Sequence, residues 1–295
     1  MEIRRQQPKT LINRNVHVFD FDATFNPYRG CSHACKYCYA RDTHQFVNLD
    51  RGHDFEQIIF AKEFTTTQVM DQLNRIPLSQ TIAIGTATDP YQPLEGKLRI
   101  TRQFLQAILV SGHGVSITTK SPLVLRDLDL LTSLAAHQQI VVHISLITND
   151  KVMAHNLEPG TCSPRRRWQI IDGLVAHGVP AALFCAPIIP GWTDDHETLD
   201  QMFAIASQKR VSWLMTAPAH FTQPMFEYFS AHLASIDAIR TLSFRRNFAD
   251  NGTLLPWYRR QLQQTIDRLR NHYHLSAQRA APRPHRITVQ AVFDI

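Results

Sequence analysis

The segments Val115-Ser-Ile-Thr-Thr119, Arg126-Asp-Leu-Asp-Leu-Leu-Thr-Ser-Leu-Ala-Ala136 and Ile140-Val-Val-His-Ile-Ser-Leu-Ile147 follow one another near the middle of the chain. The outer two are short apolar runs rich in β-branched residues; the central one repeats apolar residues three and four apart. That pattern is strand, amphipathic helix, strand. Outward from it the pattern recurs. Strand-like runs lie at Thr81–Ile84, Ala181–Ile189 and Val211–Met215, and helical patterns near Thr101–Val110, Ser163–Ala176 and Asp195–Ser207. Ser163-Pro164 has the form of an N-cap followed by proline at the first helical position. Gly112, Gly114 and Gly178 fall where helices end and strands begin. Alternation of this kind predicts a parallel sheet covered by helices. A further run near Phe21–Pro27 brings the count to about six βα units, short of the closed eight-stranded barrel. The expected fold is therefore α/β, an open, partial TIM-like (β/α)6 barrel with active residues at the C-terminal ends of its strands. Beyond about Ala217 the alternation gives way to helical patterns at Met225–Leu233 and Trp257–Arg270 and a Pro- and Arg-containing tail. The expected division is a core at 1–217, with a short N-terminal lead-in, and a basic helical extension at 218–295.

The composition agrees with a folded, non-membrane chain. Of 295 residues 44% are hydrophobic and 19% charged, which excludes a disordered class. No run approaches the roughly eighteen uninterrupted apolar residues of a membrane span. Met1–Arg14 is charged and lacks the apolar segment of a secretory signal, so the expected location is the cytosol. Five cysteines are too few for a disulfide scaffold. Three of them lie between positions 31 and 38 while Cys162 and Cys185 stand alone; in a reducing compartment such a group points to metal. The net charge of +6 is uneven: acidic and basic residues balance through position 240, and the arginine excess follows it. That excess is either a polyanion contact or a solvated helix face.

The most informative stretch is Asn26-Pro-Tyr-Arg-Gly-Cys31-Ser-His-Ala-Cys35-Lys-Tyr-Cys38-Tyr-Ala-Arg41. Cysteines separated by three and then two residues let one short loop wrap a cubane and ligate three irons. The fourth iron is then left to a small molecule carrying an amine and a carboxylate. Arg29-Gly30 permits a tight backbone approach before the first cysteine, and Tyr37 offers an aromatic face to a nucleobase. The competing metal site is structural zinc, with His33 or His44 as fourth ligand. Zinc sites usually draw two ligand pairs from separated segments, and no second pair exists here.

The Cys-x3-Cys-x2-Cys spacing with an aromatic before the last cysteine resembles the signature of the radical S-adenosylmethionine (SAM) superfamily. Further strings narrow the resemblance: Gly85-Thr-Ala-Thr-Asp-Pro-Tyr-Gln-Pro-Leu-Glu95, Thr119-Lys-Ser121, Arg126-Asp-Leu-Asp-Leu-Leu131, Leu157-Glu-Pro159 and Pro187-Ile-Ile-Pro-Gly191. Together they resemble the branch related to spore photoproduct lyase, described as DNA repair photolyase-like, over about Asn26 to Asp194. The resemblance implies a [4Fe–4S] cluster on Cys31, Cys35 and Cys38 that donates an electron to bound SAM. Methionine leaves, and a 5′-deoxyadenosyl radical abstracts hydrogen from substrate. It also implies a reductant of flavodoxin or ferredoxin type as partner, and roles around SAM for Tyr37, Gly85, Thr86, Lys120, Ser145 and Ile189. Gly85-Thr86 corresponds to the segment that holds the methionine amino group. Lys120 lies where it reaches the methionine carboxylate or stays solvated, and the Ile189 region contacts adenine.

Each of these positions also has a plain structural reading: a strand-ending glycine, an ordinary hydrogen bond for Ser145, a strand-to-helix turn at Pro-Gly. Arg165-Arg-Arg167 opens a helix, where cations oppose the dipole, and so suggests a nearby anion such as substrate. Cys185 and Cys162 are candidates for a thiol that relays hydrogen, or are small buried apolar residues. Two departures from the branch stand out. No cysteine lies between Cys38 and Cys162, where spore photoproduct lyase has its hydrogen donor, and Phe244-Arg-Arg-Asn-Phe-Ala-Asp-Asn-Gly-Thr253 replaces a glycine-rich basic segment. The absence of a second cysteine-rich segment argues against an auxiliary cluster. For the substrate, nucleic acid is one reading, with Arg245, Arg246, Arg259, Arg260, Arg268 and Arg270 on phosphates and Trp257 and Tyr258 as stacking surface. A small molecule or a protein is the other, and no oligomeric state follows from the sequence.

Overall fold

The computed structural model describes residues 1–14 and 21–277. The chain begins with β1 (Glu2–Gln6), β2 (Ile12–Arg14), β3 (Ala23–Phe25) and β4 (Tyr28–Arg29). A 3-10 segment (Tyr39–Val47), α1 (His53–Gln57), β5 (Ile58–Lys62) and α2 (Thr66–Leu73) follow. Strands and helices then alternate through β6 (Thr81–Ile84), α3 (Glu95–Leu98), α4 (Ile100–Ser111), β7 (Gly114–Thr119), α5 (Leu128–Ala136) and β8 (Ile140–Ser145). The series ends with α6 (Lys151–Leu157), α7 (Pro164–Ala176), β9 (Ala181–Ile188), α8 (His196–Gln208) and β10 (Leu214–Pro218). Three helices complete the described chain: α9 (Gln223–Ile236), α10 (Ala238–Arg245) and α11 (Pro256–His272).

Seven strands form one sheet in the order β2-β3-β6-β7-β8-β9-β10, with every pair parallel except β2–β3. The six parallel strands are those the sequence predicts. The sheet is open, with β2 at one edge and β10 at the other. Its register puts Ile144, Leu183 and Leu214 in one row on one face, and Ser145, Phe184 and Met215 in one row on the other. The first row joins the apolar cluster of Ile170, Ile171 and Leu174 on α7 and Leu199, Met202 and Phe203 on α8. The opposite, inward face carries the buried polar residues Ser116, His143 and Ser145. Local signals set the helix starts: Ser163 accepts from Arg166 N–H ahead of Pro164, and Asp195 accepts from Thr198 N–H at 2.8 Å.

Two elements differ from expectation. The last strand starts at Leu214 rather than Val211, because the Val211 N–H is spent on Ala206 O at 3.2 Å in closing α8. A second sheet, β1-β5-β4, packs beside the first. Its edge strand Glu2-Ile-Arg-Arg-Gln6 is charged and exposed, so no apolar period announced it. The helices after β10 pack into the same core as the barrel: Phe226, Phe229, Phe244, Phe248, Leu262, Ile266 and Leu269 belong to its principal cluster. On α11 the stripe Tyr258, Leu262, Ile266, Leu269 turns inward, each contributing about 1.5–3 kcal/mol by burial. This orientation leaves Arg259, Arg260 and Arg268 exposed. From residue 278 on, the Pro- and Arg-containing tail lies outside the described residues.

Candidate active site

The cysteine loop leaves the end of β4. Gly30 turns it with φ +87°, and a Cβ there would meet Ile58 O at 2.8 Å and the His44 ring at 3.0 Å. Backbone bonds fix the loop: Cys31 N–H to Phe55 O (3.1 Å), Ala34 N–H to Cys31 O (3.2 Å), Lys36 N–H to Leu157 O (2.9 Å) and Cys38 N–H to Cys35 O (3.3 Å). Burial pushes the Cys31 thiol up to about 12 and raises Cys35 and Cys38 as well, so the protons stay until a metal displaces them. Backbone N–H groups of Asp89 and His33 meet the Cys31 sulfur, and those of Ala40 and Arg41 meet Cys38. Cys35 instead faces the charges of Lys120 and Glu158.

These features fit a cubane. The three side chains lie close enough that, as thiolates, they would feel one another's charge. Among the described residues, however, no three His, Cys, Asp or Glu groups converge to hold a single ion. A cubane asks for three thiolates on three irons rather than for convergence. The histidines weighed as zinc ligands turn elsewhere: His33 Nδ1 lies 3.1 Å from Asp89 Oδ2, and His44 Nε2 lies 3.0 Å from Ile58 O.

The strand ends supply the surroundings. At the end of β6, Gly85 has φ +88°, and a Cβ would meet Pro90 Cδ at 2.5 Å and Thr118 O at 2.6 Å. Asn26 donates to the Thr86 hydroxyl (3.0 Å) and accepts from Ala87 N–H (2.8 Å). The Tyr39 hydroxyl donates to the Thr86 carbonyl. Thr88 and Gln92 both donate to Gly30 O, at 2.7 and 3.2 Å, and Gln92 accepts from Ser32 N–H at 3.0 Å. The irregular 85–92 segment is thus laced to the cysteine loop. Burial alone would raise the Asp89 carboxyl; His33, the Thr119 hydroxyl (2.6 Å) and Lys120 N–H (2.7 Å) outweigh it and hold it at about 2. Ile189, beyond the end of β9, is fully buried, and its N–H donates to the Thr193 hydroxyl at 2.9 Å. Ser145, at the end of β8, is 1% exposed and its hydroxyl has no partner among the described residues. A buried hydroxyl without a partner is a place for a ligand's polar group.

Sequence reasoning missed the residue at the centre of the site. Glu158, 1% exposed, accepts from the Tyr37 hydroxyl, pairs with Arg167 at 2.5 Å and lies 3.8 Å from the Lys120 ammonium. Burial would raise its carboxyl, but the charges of Arg167 and Lys120 lower it on balance. Burial would lower the Lys120 ammonium; the charges of Cys35, once it is a thiolate, and of Glu158 raise it instead. Lys120 also lies 5.9 Å from the centre of the Tyr37 ring. The signal was present in Leu157-Glu-Pro159, and the following residue explains the rest of that string. Gly160 N–H donates to His33 O (3.0 Å), and a Cβ at Gly160 would meet Ser32 O at 2.2 Å. Arg126-Asp127 serves the fold: Arg126 binds Glu95 and Asp127 at 3.0 and 2.8 Å, and Glu95 takes the Tyr28 hydroxyl at 2.5 Å.

The other predicted residues separate. Of the arginine run, Arg167 is fully buried and its anion is this chain's own Glu158, whereas Arg165 and Arg166 are exposed on the first turn of α7. The Cys162 sulfur lies 3.2 Å from Lys120 O, on the site side. Cys185 is fully buried on the face of β9 shared with Leu183, opposite Ser145, where burial pushes its thiol up to about 12. Arg245 is held by Glu227 at 2.9 Å and lies over the Phe226 ring, while Arg246, Arg259 and Arg260 are exposed. Arg270 turns in, donating to Leu214 O (3.0 Å) and the Thr216 hydroxyl (2.9 Å).

Comparison with known proteins agrees with this architecture. Residues 25–202 match the family model of the radical SAM superfamily. An uncharacterised protein of Mycobacterium tuberculosis strain H37Rv is 31% identical over 278 residues, covering 93% of this chain and 82% of that protein. Among solved structures, spore photoproduct lyase with bound AdoMet and dinucleoside spore photoproduct superposes with TM-score 0.66 at 15% identity, covering 92% of this chain and 79% of the other. Streptococcus suis SuiB bound to precursor peptide SuiA gives 0.56 at 12% identity, over 86% and 46%. At these identities the structures speak for the fold, an open barrel common to all three. With the family match, the chain belongs to the radical SAM superfamily, an enzyme class that works with a [4Fe–4S] cluster and S-adenosylmethionine.

Proposed function

We propose that Cys31, Cys35 and Cys38 ligate the cluster and that this enzyme abstracts hydrogen from a nucleic acid. Cys31, Cys35 and Cys38 would hold the cluster, which with bound SAM would supply hydrogen abstraction from substrate through a 5′-deoxyadenosyl radical. The residues divide the remaining work. Lys120, held up as an ammonium, and the open Ser145 hydroxyl meet the polar end of SAM; Gly85 and Thr86 present backbone to it. Tyr37, pinned by Glu158, and Ile189 offer apolar surface to its adenine. A flavodoxin- or ferredoxin-type protein is the proposed electron donor, and the cytosol the proposed location. No helix of the described residues is long and apolar enough to cross a membrane.

The observation that carries the substrate class is the rim. In βα units the helix N-termini stand at the C-terminal edge of the sheet, which is where Arg165 and Arg166 open α7. The start of α11 is tied to the same edge, since the Tyr258 hydroxyl donates to Asp194 in the loop after β9. Beside it Trp257 is 51% exposed and Arg259 and Arg260 are free of ion pairs among the described residues. An exposed tryptophan among unpaired arginines suits a single strand, by stacking and phosphate contact. The bound dinucleoside of spore photoproduct lyase supports the same reading. Repair of the thymine photoproduct would need a hydrogen donor at another position, because no cysteine lies between Cys38 and Cys162. The test is anaerobic binding of a labelled single-stranded oligonucleotide by the cluster-loaded protein. Affinity should fall about tenfold or more between about 50 and 200 mM salt, and further in the Arg259→Ala, Arg260→Ala double variant. Binding that ignores both would point to a small molecule or a protein as substrate.

A further inference from the structure

A cubane on three thiolates is an anion in a place nearly closed to water. Its loop must turn N–H groups toward it and carbonyls away. The structure shows what turns the carbonyls. Arg41, three residues after Cys38 and fully buried, donates from Nε to Cys35 O at 2.8 Å and from Nη2 to Ala34 O at 2.9 Å. Its Nη1 donates to Arg51 O (3.0 Å) and Gly52 O (2.9 Å), and Nη2 also pairs with the Glu56 carboxylate. The rings of Phe55 and Tyr228 lie 5.1 and 5.2 Å from the guanidinium carbon. On the other side of the loop, the N–H groups of His33, Ala40 and Arg41 itself meet the Cys31 and Cys38 sulfurs. Between them Ala34 holds φ +57°, a left-handed conformation that alanine rarely adopts without support.

We infer that Arg41 is the positioning residue of the cluster loop: its guanidinium holds the Ala34 and Cys35 carbonyls away from the thiols, so that N–H groups face the cluster whether or not metal is bound. This rests on the reading that the three cysteines are the ligands. Lysine cannot replace it, since an ammonium has three donors and no planar fork, whereas five bonds in two directions are made here. Because hydrogen bonds to cluster sulfur set its potential, loosening the loop weakens iron retention and also makes the cluster harder to reduce.

The experiment compares wild type, Arg41→Lys, Glu56→Gln and Cys35→Ala after anaerobic reconstitution. Three quantities are read: iron and sulfide content with the rate of iron loss to a chelator, the reduction potential from an EPR-monitored titration, and Tm of the unloaded protein. Arg41→Lys should lose iron about tenfold faster or more, with a more negative potential, and Glu56→Gln should shift both the same way to a smaller extent. A drop in Tm with wild-type iron loss and potential would assign Arg41 to general stability and overturn the inference. Where Arg41→Lys does not fold, Glu56→Gln decides: faster iron loss supports the inference, wild-type behaviour overturns it. Wild-type iron and sulfide in Cys35→Ala would instead remove the ligand reading itself.

Discussion

Tyr37 and Glu158 lie 121 residues apart in the chain, yet the phenol of one donates to the buried carboxylate of the other. One end of this bond is in the cysteine loop. The other is in the turn after α6, which also receives Arg167 from α7 and approaches Lys120 after β7. A single carboxylate thus joins the cysteine loop to the first turn of α7 and to the segment after β7.

The pair behaves asymmetrically under substitution. Glu158→Gln keeps the shape but leaves Arg167 buried without its counter-charge, which should cost about 3–5 kcal/mol. Tyr37→Phe removes one donor and should cost about 1–2 kcal/mol. Urea unfolding of the unloaded proteins measures both. Equal effects would mean that Arg167 finds another partner.

Gly160 and Gly178 provide a matched comparison. At Gly160 a methyl would strike Ser32 O at 2.2 Å and His33 Cα at 2.9 Å, backbone that cannot yield without moving the loop. Gly160→Ala should therefore fold but take up much less iron and sulfide than wild type. Gly178→Ala, with φ +71° but open space around it, should lose only about 1 kcal/mol of stability and load normally. Normal loading of Gly160→Ala would show that the 157–160 turn is not a support of the cysteine loop.

Lys62 gives the stability a pH dependence. Its ammonium lies 5.3 Å from the Phe25 ring centre and donates to Leu11 O at 3.1 Å. Burial first, and then the charge of Arg29, lower it from 10.5 to about 8. Between these values the unfolded chain binds more protons than the folded one, so stability contributed here rises with pH and is fully gained only above about 10.5. Relative to Lys62→Met, wild type should gain about 1–2 kcal/mol between about pH 7.5 and 9.5. Parallel unfolding curves for the two proteins at both pH values would refute this.

How much of this was legible beforehand depends on how local each signal is. The six parallel strands announce themselves as apolar runs, because that pattern is written in adjacent residues, as is the cysteine spacing on which the cluster proposal rests. β1 is not, since Glu2-Ile-Arg-Arg-Gln6 becomes a strand only through its pairing with β5. Arg167 reads as a substrate contact in the run Arg165–Arg167; only the fold shows that its anion is Glu158. Cys185 was readable in part: it shares the period-two face of Leu183, and an apolar neighbour two residues away already points the thiol toward the helices. Arg41 stood in the quoted motif, but its bonds to Arg51, Gly52 and Glu56 require a loop that no spacing rule describes.

The most direct test of the central claim is the yield of 5′-deoxyadenosine. Wild type and Cys35→Ala are reconstituted anaerobically with iron and sulfide, reduced with dithionite and given S-adenosylmethionine, with and without oligonucleotide. The account predicts 5′-deoxyadenosine and methionine from wild type and none from Cys35→Ala. A fully loaded wild type that forms neither product with or without oligonucleotide, or a Cys35→Ala variant as active as wild type, would contradict it.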